Sequence, residues 1–336
     1  MRRALPVLFP VLASCVGGGR PEAATGPATS RPGHAVFNGT AMGTHLGIEV
    51  YGPDQETCDR AVRAARDEID RLDRMLTDWQ PESPLMDINH AAGVRPVKPP
   101  PELFFLIRKS LQLSELTGGA FDITFAGAGR LWRWRDPDPA IPDEAAVRAA
   151  LENVGWKKVV LDEAAQTVFL PGPDMRIGLD AIAPGYAGDL AMEKIKSFGI
   201  QDAMVDMSGD LVFIGLKEGK PWRVGIRHPR KPGENLAVLP IAHGGAVSTS
   251  GDYERFFVKD GRRYNHIIDP RTGYPADQVQ SATVLAPVLA YADALATGVF
   301  VLGPERGMAL IEKLEGVEGI IVDAKGEVHV SKGLER

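Results

Sequence analysis

The chain has 336 residues, of which 44% are hydrophobic and 24% charged, with a formal net charge of −6 and two cysteines. That balance is ordinary for a soluble globular protein, and the net acidity argues against nucleic acid as the main partner. If Cys15 is consumed by modification, Cys58 has no thiol to pair with and no intramolecular disulfide forms.

Met1-Arg2-Arg3 opens the chain with positive charge, Ala4 to Ala13 is mostly apolar, and Leu12-Ala13-Ser14-Cys15 follows. Small residues ahead of a cysteine suit a signal peptidase pocket. The tetrapeptide looks like a bacterial lipobox with Cys15 lipidated; the alternative is an ordinary cleaved secretory signal. The apolar run is too short for a permanent membrane span, and Pro6 and Pro10 interrupt it. The expected boundaries are a signal peptide over residues 1–14, a flexible tether over 15–34 and a folded unit over 35–336. Roughly 300 residues can bury one large core or two closely joined lobes. An acylated Cys15 would hold that unit on the periplasmic side of a bacterial membrane or on its outer face.

Along the folded part, Val36 to Val50 reads as two short strands around a Met42-Gly43-Thr44 turn. Asp54 to Met75 has apolar residues three and four apart and predicts an amphipathic helix. Cys58, Val62, Ala65, Ile69, Leu72 and Leu76 share its core stripe, so Cys58 is expected as a packed thiol. A second helix is predicted over Pro100 to Leu116, ended by Thr117-Gly118-Gly119, and a short third over Asp143 to Leu151. Lys158 to Leu161 and Thr167 to Leu170 read as a hairpin, followed by a helix over Gly185 to Phe198. Ala203 to Ile214 predicts a strand pair broken at Ser208-Gly209-Asp210. Short strands are expected at Trp222 to Ile226, Leu236 to Ile241, Val247 to Thr249, Arg255 to Lys259 and Ser281 to Leu285. Helices over Leu289 to Leu302 and Glu305 to Leu314 precede two closing strands. Without a regular strand–helix alternation the class is α+β, with mixed sheets and flanking helices.

The segment Asn265-His266-Ile267-Ile268-Asp269-Pro270-Arg271-Thr272-Gly273-Tyr274-Pro275 carries the densest chemistry. Its Asp-Pro and Thr-Gly steps mark tight turns. A histidine and a carboxylate three residues apart on such a loop suit catalysis, and a structural histidine at a strand end is the alternative. Asp293 and Thr297 stand four apart on one helix face among small residues. A carboxylate and a hydroxyl form a hard, all-oxygen pair suited to Mg²⁺; an N-terminal Asp and a backbone-bonded Thr would be the structural equivalent. Gly178 to Tyr186 enters a helix through small residues, an arrangement that suits a pyrophosphate. Thr117 to Asp122 and Ser248 to Tyr253 are further tight loops that suit phosphate contacts. Seven scattered histidines give no zinc spacing, and no G-x-S-x-G elbow supports a Ser/His/Asp hydrolase.

In order along the chain, these pieces resemble the ApbE family, the FAD:protein FMN transferases. The matching segments are Met42-Gly43-Thr44, Thr77 to Ser83 with Asn89, Thr117 to Asp122, Asp180 to Tyr186, Ser208-Gly209-Asp210, Thr249 to Tyr253, His266 to Pro275 and Asp293 to Thr297. The resemblance implies a T-fold-like core, Mg²⁺, and transfer of FMN from FAD to a Thr or Ser hydroxyl of an acceptor protein, with AMP leaving. The acceptor it implies is a flavin-carrying subunit of a membrane redox complex. It implies FAD contacts from Met42, Trp79, Ala120, Phe121, Asp122, Asp180 and Ile267. It also implies Mg²⁺ ligation by Asp293, Thr297 and the carbonyl of Ala181, and His266 as the base. The chain departs from the family pattern at Pro184, where a Lys is usual, and at Gly178, where many members have an Asp that Asp180 can replace. An FAD pyrophosphatase and a non-catalytic FAD-binding lipoprotein are the alternatives.

Overall fold

Met42 and Gly43 both take positive φ, 50° and 70°, the two-residue turn whose twist matches antiparallel strands. It joins β1 (Gly33–Ala41) to β2 (Thr44–Gly52). Residues 33–134, 136 and 138–335 are described in this computed structural model. The signal, Cys15 and most of the expected tether lie outside them. β1 starts at Gly33, so the last two residues expected in the tether are already strand.

Asp54 caps α1 (Gln55–Leu76), its Oδ1 accepting from the Thr57 amide at 2.7 Å. The stripe from Cys58 to Leu76 is buried as its spacing predicts. α2 (Pro84–His90), capped by Ser83, is an element that sequence periodicity misses, since seven residues are too few to show a repeat. α3 (Pro101–Leu116), α4 (Ala126–Gly129) and α5 (Glu144–Leu151) follow, and then the hairpin of β3 (Val160–Asp162) and β4 (Thr167–Phe169). α6 (Ala183–Lys196) begins two residues before its expected start. Pro184 sits in its first turn, where a missing N–H costs nothing.

Next come β5 (Asp202–Met207), β6 (Asp210–Ile214), β7 (Trp222–Arg227), β8 (Asn235–Ile241), β9 (Gly245–Gly251) and β10 (Phe256–Lys259). β11 (Arg262–Asn265), unforeseen, pairs with β10. The chain closes with β12 (Val279–Ala286), α7 (Leu289–Leu302), α8 (Pro304–Ile311), β13 (Glu318–Asp323) and β14 (Val328–Val330). One eight-stranded antiparallel sheet runs β1-β2-β5-β6-β9-β12-β13-β14. Helices α1, α6 and α7 pack on one face over the main core. The β7–β8 hairpin covers part of the other through Trp222, Val224 and Ile226. This is the expected α+β class. No helix among the described residues is long and apolar enough to cross a membrane.

Helices α6 and α7 meet closely because glycine leaves the space: a Cβ on Gly185 would lie 2.7 Å from the Leu289 carbonyl oxygen. Across that junction the two helices cap one another. Asp189 of α6 accepts from the Leu289 and Ala290 amides at 2.8 and 2.9 Å, which supplies α7 with the cap its own N-terminal residue lacks. In return, Asp293 of α7 accepts from the Gly185 amide at 3.1 Å, in the first turn of α6.

Asp189→Ala leaves two buried amides without acceptors and should cost about 1–3 kcal/mol. Urea unfolding measures this, and unchanged stability would contradict the capping role.

Candidate active site

The hairpin tips of β1–β2 and β5–β6, the entry to α6, strand β9 and the loop after β11 enclose a cavity of about 1000 Å³. Every cavity residue singled out from the sequence lines it: Met42, Trp79, Ala120, Phe121, Asp122, Asp180, Ala181, His266, Ile267, Asp293 and Thr297. Pro184 lines it too. A space of this size suits a dinucleotide-sized ligand.

Its floor carries three acids, of which Asp293 is the most buried. Asp293 is 6% exposed. Burial first, and then the negative charge of Asp210, hold it well above the ordinary carboxylate range. Asp210, which accepts from the Ser248 hydroxyl, is pushed by burial up to about 7. Asp180 faces the open cavity, yet the enclosing walls and then Asp78 raise it to about 6, while Arg255 acts in the opposite direction. The Thr297 hydroxyl lies on the same wall, 3.2 Å from the Ser250 hydroxyl. Three carboxylates crowded into one pocket, each holding its proton above the ordinary range, form a hard-oxygen set that fits a divalent cation such as Mg²⁺, whose charge would favour their ionised form. Asp293 is also the α6 cap, so its structural role and a ligand role coexist. Another acidic group, Asp323, Glu327 and His329, lies outside this cavity on the β13–β14 turn, where Asp323 braces the turn through the Lys325 and Glu327 amides.

His266 stands immediately after β11, and its amide donates to the Arg255 carbonyl at 3.0 Å. The loop behind it is braced internally. The Asn265 side chain spans to the Ala276 carbonyl and the Ile267 amide, and the Trp132 indole donates to the Gly273 carbonyl. Asp269, the carboxylate of this loop, pairs with Arg271 through two 2.7 Å contacts. His266 Nδ1 is enclosed and, among the described residues, has no hydrogen-bond partner. Burial, and then the charge of Arg255, lower the ring's pKa to about 4. A neutral imidazole lining the cavity can act as a proton acceptor there.

Trp79 is 57% exposed and lies over the β1–β2 tip, so that a Cβ on Gly43 would come within 3.2 Å of its ring. This leaves a flat aromatic surface beside the cavity for a ring ligand. Asp122 lines the same wall, but its oxygens are engaged by the Thr124 amide and hydroxyl and the Trp156 amide, at 2.7–2.8 Å. Its carboxylate therefore fixes the Ala120–Phe121 loop. Gly178 packs on Ala126, with a Cβ there 3.2 Å from the Ala126 methyl. Sequence reasoning assigned no role to Asp210 or Arg255, although both lie in or beside the segments it singled out. Only strand pairing brings them to the site.

The low pKa of His266 fixes the sign of one pH effect. Its folded value, about 4, lies below the ordinary 6.5, so the unfolded chain takes up the proton first. Its contribution is present above pH 6.5 and is lost as the pH falls toward 4. Over that window the wild type should lose more stability than His266→Gln, and NMR titration of the ring should inflect near 4. An inflection near 6.5 would contradict the enclosure.

Comparison with known proteins gives a consistent result. The family model described as "ApbE family" matches residues 42–321. A Klebsiella pneumoniae (strain 342) protein named FAD:protein FMN transferase is 32% identical over 94% of this chain and 92% of its own. A Treponema pallidum (strain Nichols) protein of the same name is 35% identical over 87% of this chain and 85% of its own. Among solved structures, the ApbE protein of Thermotoga maritima superposes with a TM-score of 0.83 at 31% identity, covering 90% of this chain and 98% of that one. On the matched length and the shared fold, the chain belongs to the ApbE family.

Proposed function

We propose that this chain is a flavin transferase that moves FMN from FAD to a Thr or Ser hydroxyl of an acceptor protein and releases AMP. One observation carries the reading: a single cavity joins a neutral His266 to a cluster of crowded carboxylates. The names of its relatives point the same way.

An alcohol is too weak an acid to attack phosphorus unaided at neutral pH. His266 takes the hydroxyl proton as the acceptor oxygen bonds to the FMN-side phosphorus. The bond from that phosphorus to the bridging oxygen breaks, and AMP departs. A positioned base of this kind contributes ~10²–10⁴ in rate. The diphosphate's negative charge, arriving beside His266, raises the imidazole's basicity toward the working pH. Asp293, Thr297 and the Ala181 carbonyl would hold Mg²⁺, with Asp180 and Asp210 adding negative charge around it. Bound there, the ion would withdraw charge from the diphosphate oxygens and improve AMP as a leaving group. Trp79, Met42 and Ile267 offer apolar surface to the rings, and the Ala120-Phe121-Asp122 loop closes the wall.

The reading includes export and lipid anchoring at Cys15, supported by the Leu12-Ala13-Ser14-Cys15 tetrapeptide. The acceptor is then a flavin-carrying subunit of a membrane redox complex on the same side of the membrane.

Incubating the protein with FAD, Mg²⁺ and a Thr-containing acceptor domain should add the mass of one FMN to the acceptor, with AMP in equal amount. AMP without the mass gain would mean that water is the acceptor and the enzyme is a pyrophosphatase. His266→Ala should keep FAD binding and lose roughly 10²–10⁴ of the rate, while Asp293→Ala should lose its response to Mg²⁺. For the anchor, Cys15→Ala should shift the protein out of the membrane fraction; unchanged partitioning would remove Cys15 from that role.

A further inference from the structure

Arg255 belongs to none of the roles given so far, yet its placement is specific. β10 and β11 pair Phe256 with Asn265, and one step further along, the His266 amide donates to the Arg255 carbonyl. Arg255 and His266 therefore stand opposite one another on neighbouring antiparallel segments, where facing side chains project to the same side. Both line the cavity.

Arg255 is exposed at that space. Among the described residues its side chain makes no hydrogen bond or ion pair. The adjacent Glu254 carboxylate is taken by Arg227 at 2.6 Å. The charge of Arg255 reaches both ends of the site, acting on His266 and on Asp180. An arginine set between a proton acceptor and an acid cluster, with no acidic partner of its own, is arranged for an anion carried by a ligand.

Resting on the flavin-transferase reading, we propose that Arg255 is a substrate-binding residue whose guanidinium holds a diphosphate oxygen of FAD beside His266. In the transfer step the acceptor oxygen bonds to the FMN-side phosphorus, and the bond from that phosphorus to the bridging oxygen breaks. The hydroxyl proton goes to His266, and AMP leaves with the bridging oxygen. Arg255 supplies positive charge to the phosphoryl oxygens throughout, opposite the side held by the acid cluster.

The test compares FAD with riboflavin, which shares the ring system and lacks phosphate. Binding of each to the full chain is followed by flavin fluorescence for wild type, Arg255→Met and Arg255→Lys. Arg255→Met should weaken FAD roughly ten- to a hundredfold and leave riboflavin unchanged, and Arg255→Lys should recover part of the loss. Unchanged FAD affinity, or an equal loss for both ligands, would overturn the assignment. A wild type that binds FAD but transfers nothing would sink the transferase reading while the Arg255 comparison remains decisive. A wild type that does not bind FAD would remove both.

Discussion

Two carboxylates exchanged between α6 and α7 hold the centre of this molecule. Asp189 closes the start of α7, and Asp293 accepts from the first turn of α6. Because each helix satisfies amides the other leaves open, neither can shift along its axis without exposing buried donors. The close approach at Gly185 makes the junction rigid. Asp293 is thereby fixed before any ligand arrives, and the cavity inherits its floor from the same contact that orders the core.

That economy has an electrostatic consequence. Asp293, Asp210 and Asp180 are desolvated within reach of one another, and each is displaced upward from the ordinary carboxylate range. A core built for stability alone would favour apolar residues at such positions. In the same cavity His266 is kept neutral, and among the described residues its enclosed Nδ1 has no hydrogen-bond partner. Crowded carboxylates that a cation would ionise and a proton acceptor in the same cavity are what a metal-assisted phosphoryl transfer to a hydroxyl requires.

Much of the fold was legible in the sequence because helices and strands announce themselves by spacing. The α1 stripe from Cys58 to Leu76 and the two-residue Met42-Gly43 turn are local signals, and both hold. β11 escaped because Arg262-Arg263-Tyr264-Asn265 is short and polar, and its one fully buried residue, Asn265, is not apolar. His266 was legible through the turn residues that follow it. The pairing of the loop's carboxylate was not: Asp269 is held by Arg271. Asp189 capping a helix 100 residues later, and Arg255 facing His266 across two segments, are products of topology. No spacing rule reaches them.

The central claim is that the acid cluster and the flavin nucleotide form one site completed by a divalent cation. Calorimetric titration of FAD into the protein, once with Mg²⁺ and once with EDTA, tests it most directly. The account predicts that Mg²⁺ tightens FAD binding by roughly tenfold or more and that Asp293→Asn abolishes the difference. Equal affinity under both conditions would contradict it, and would leave the buried carboxylates as a device of the α6–α7 junction alone.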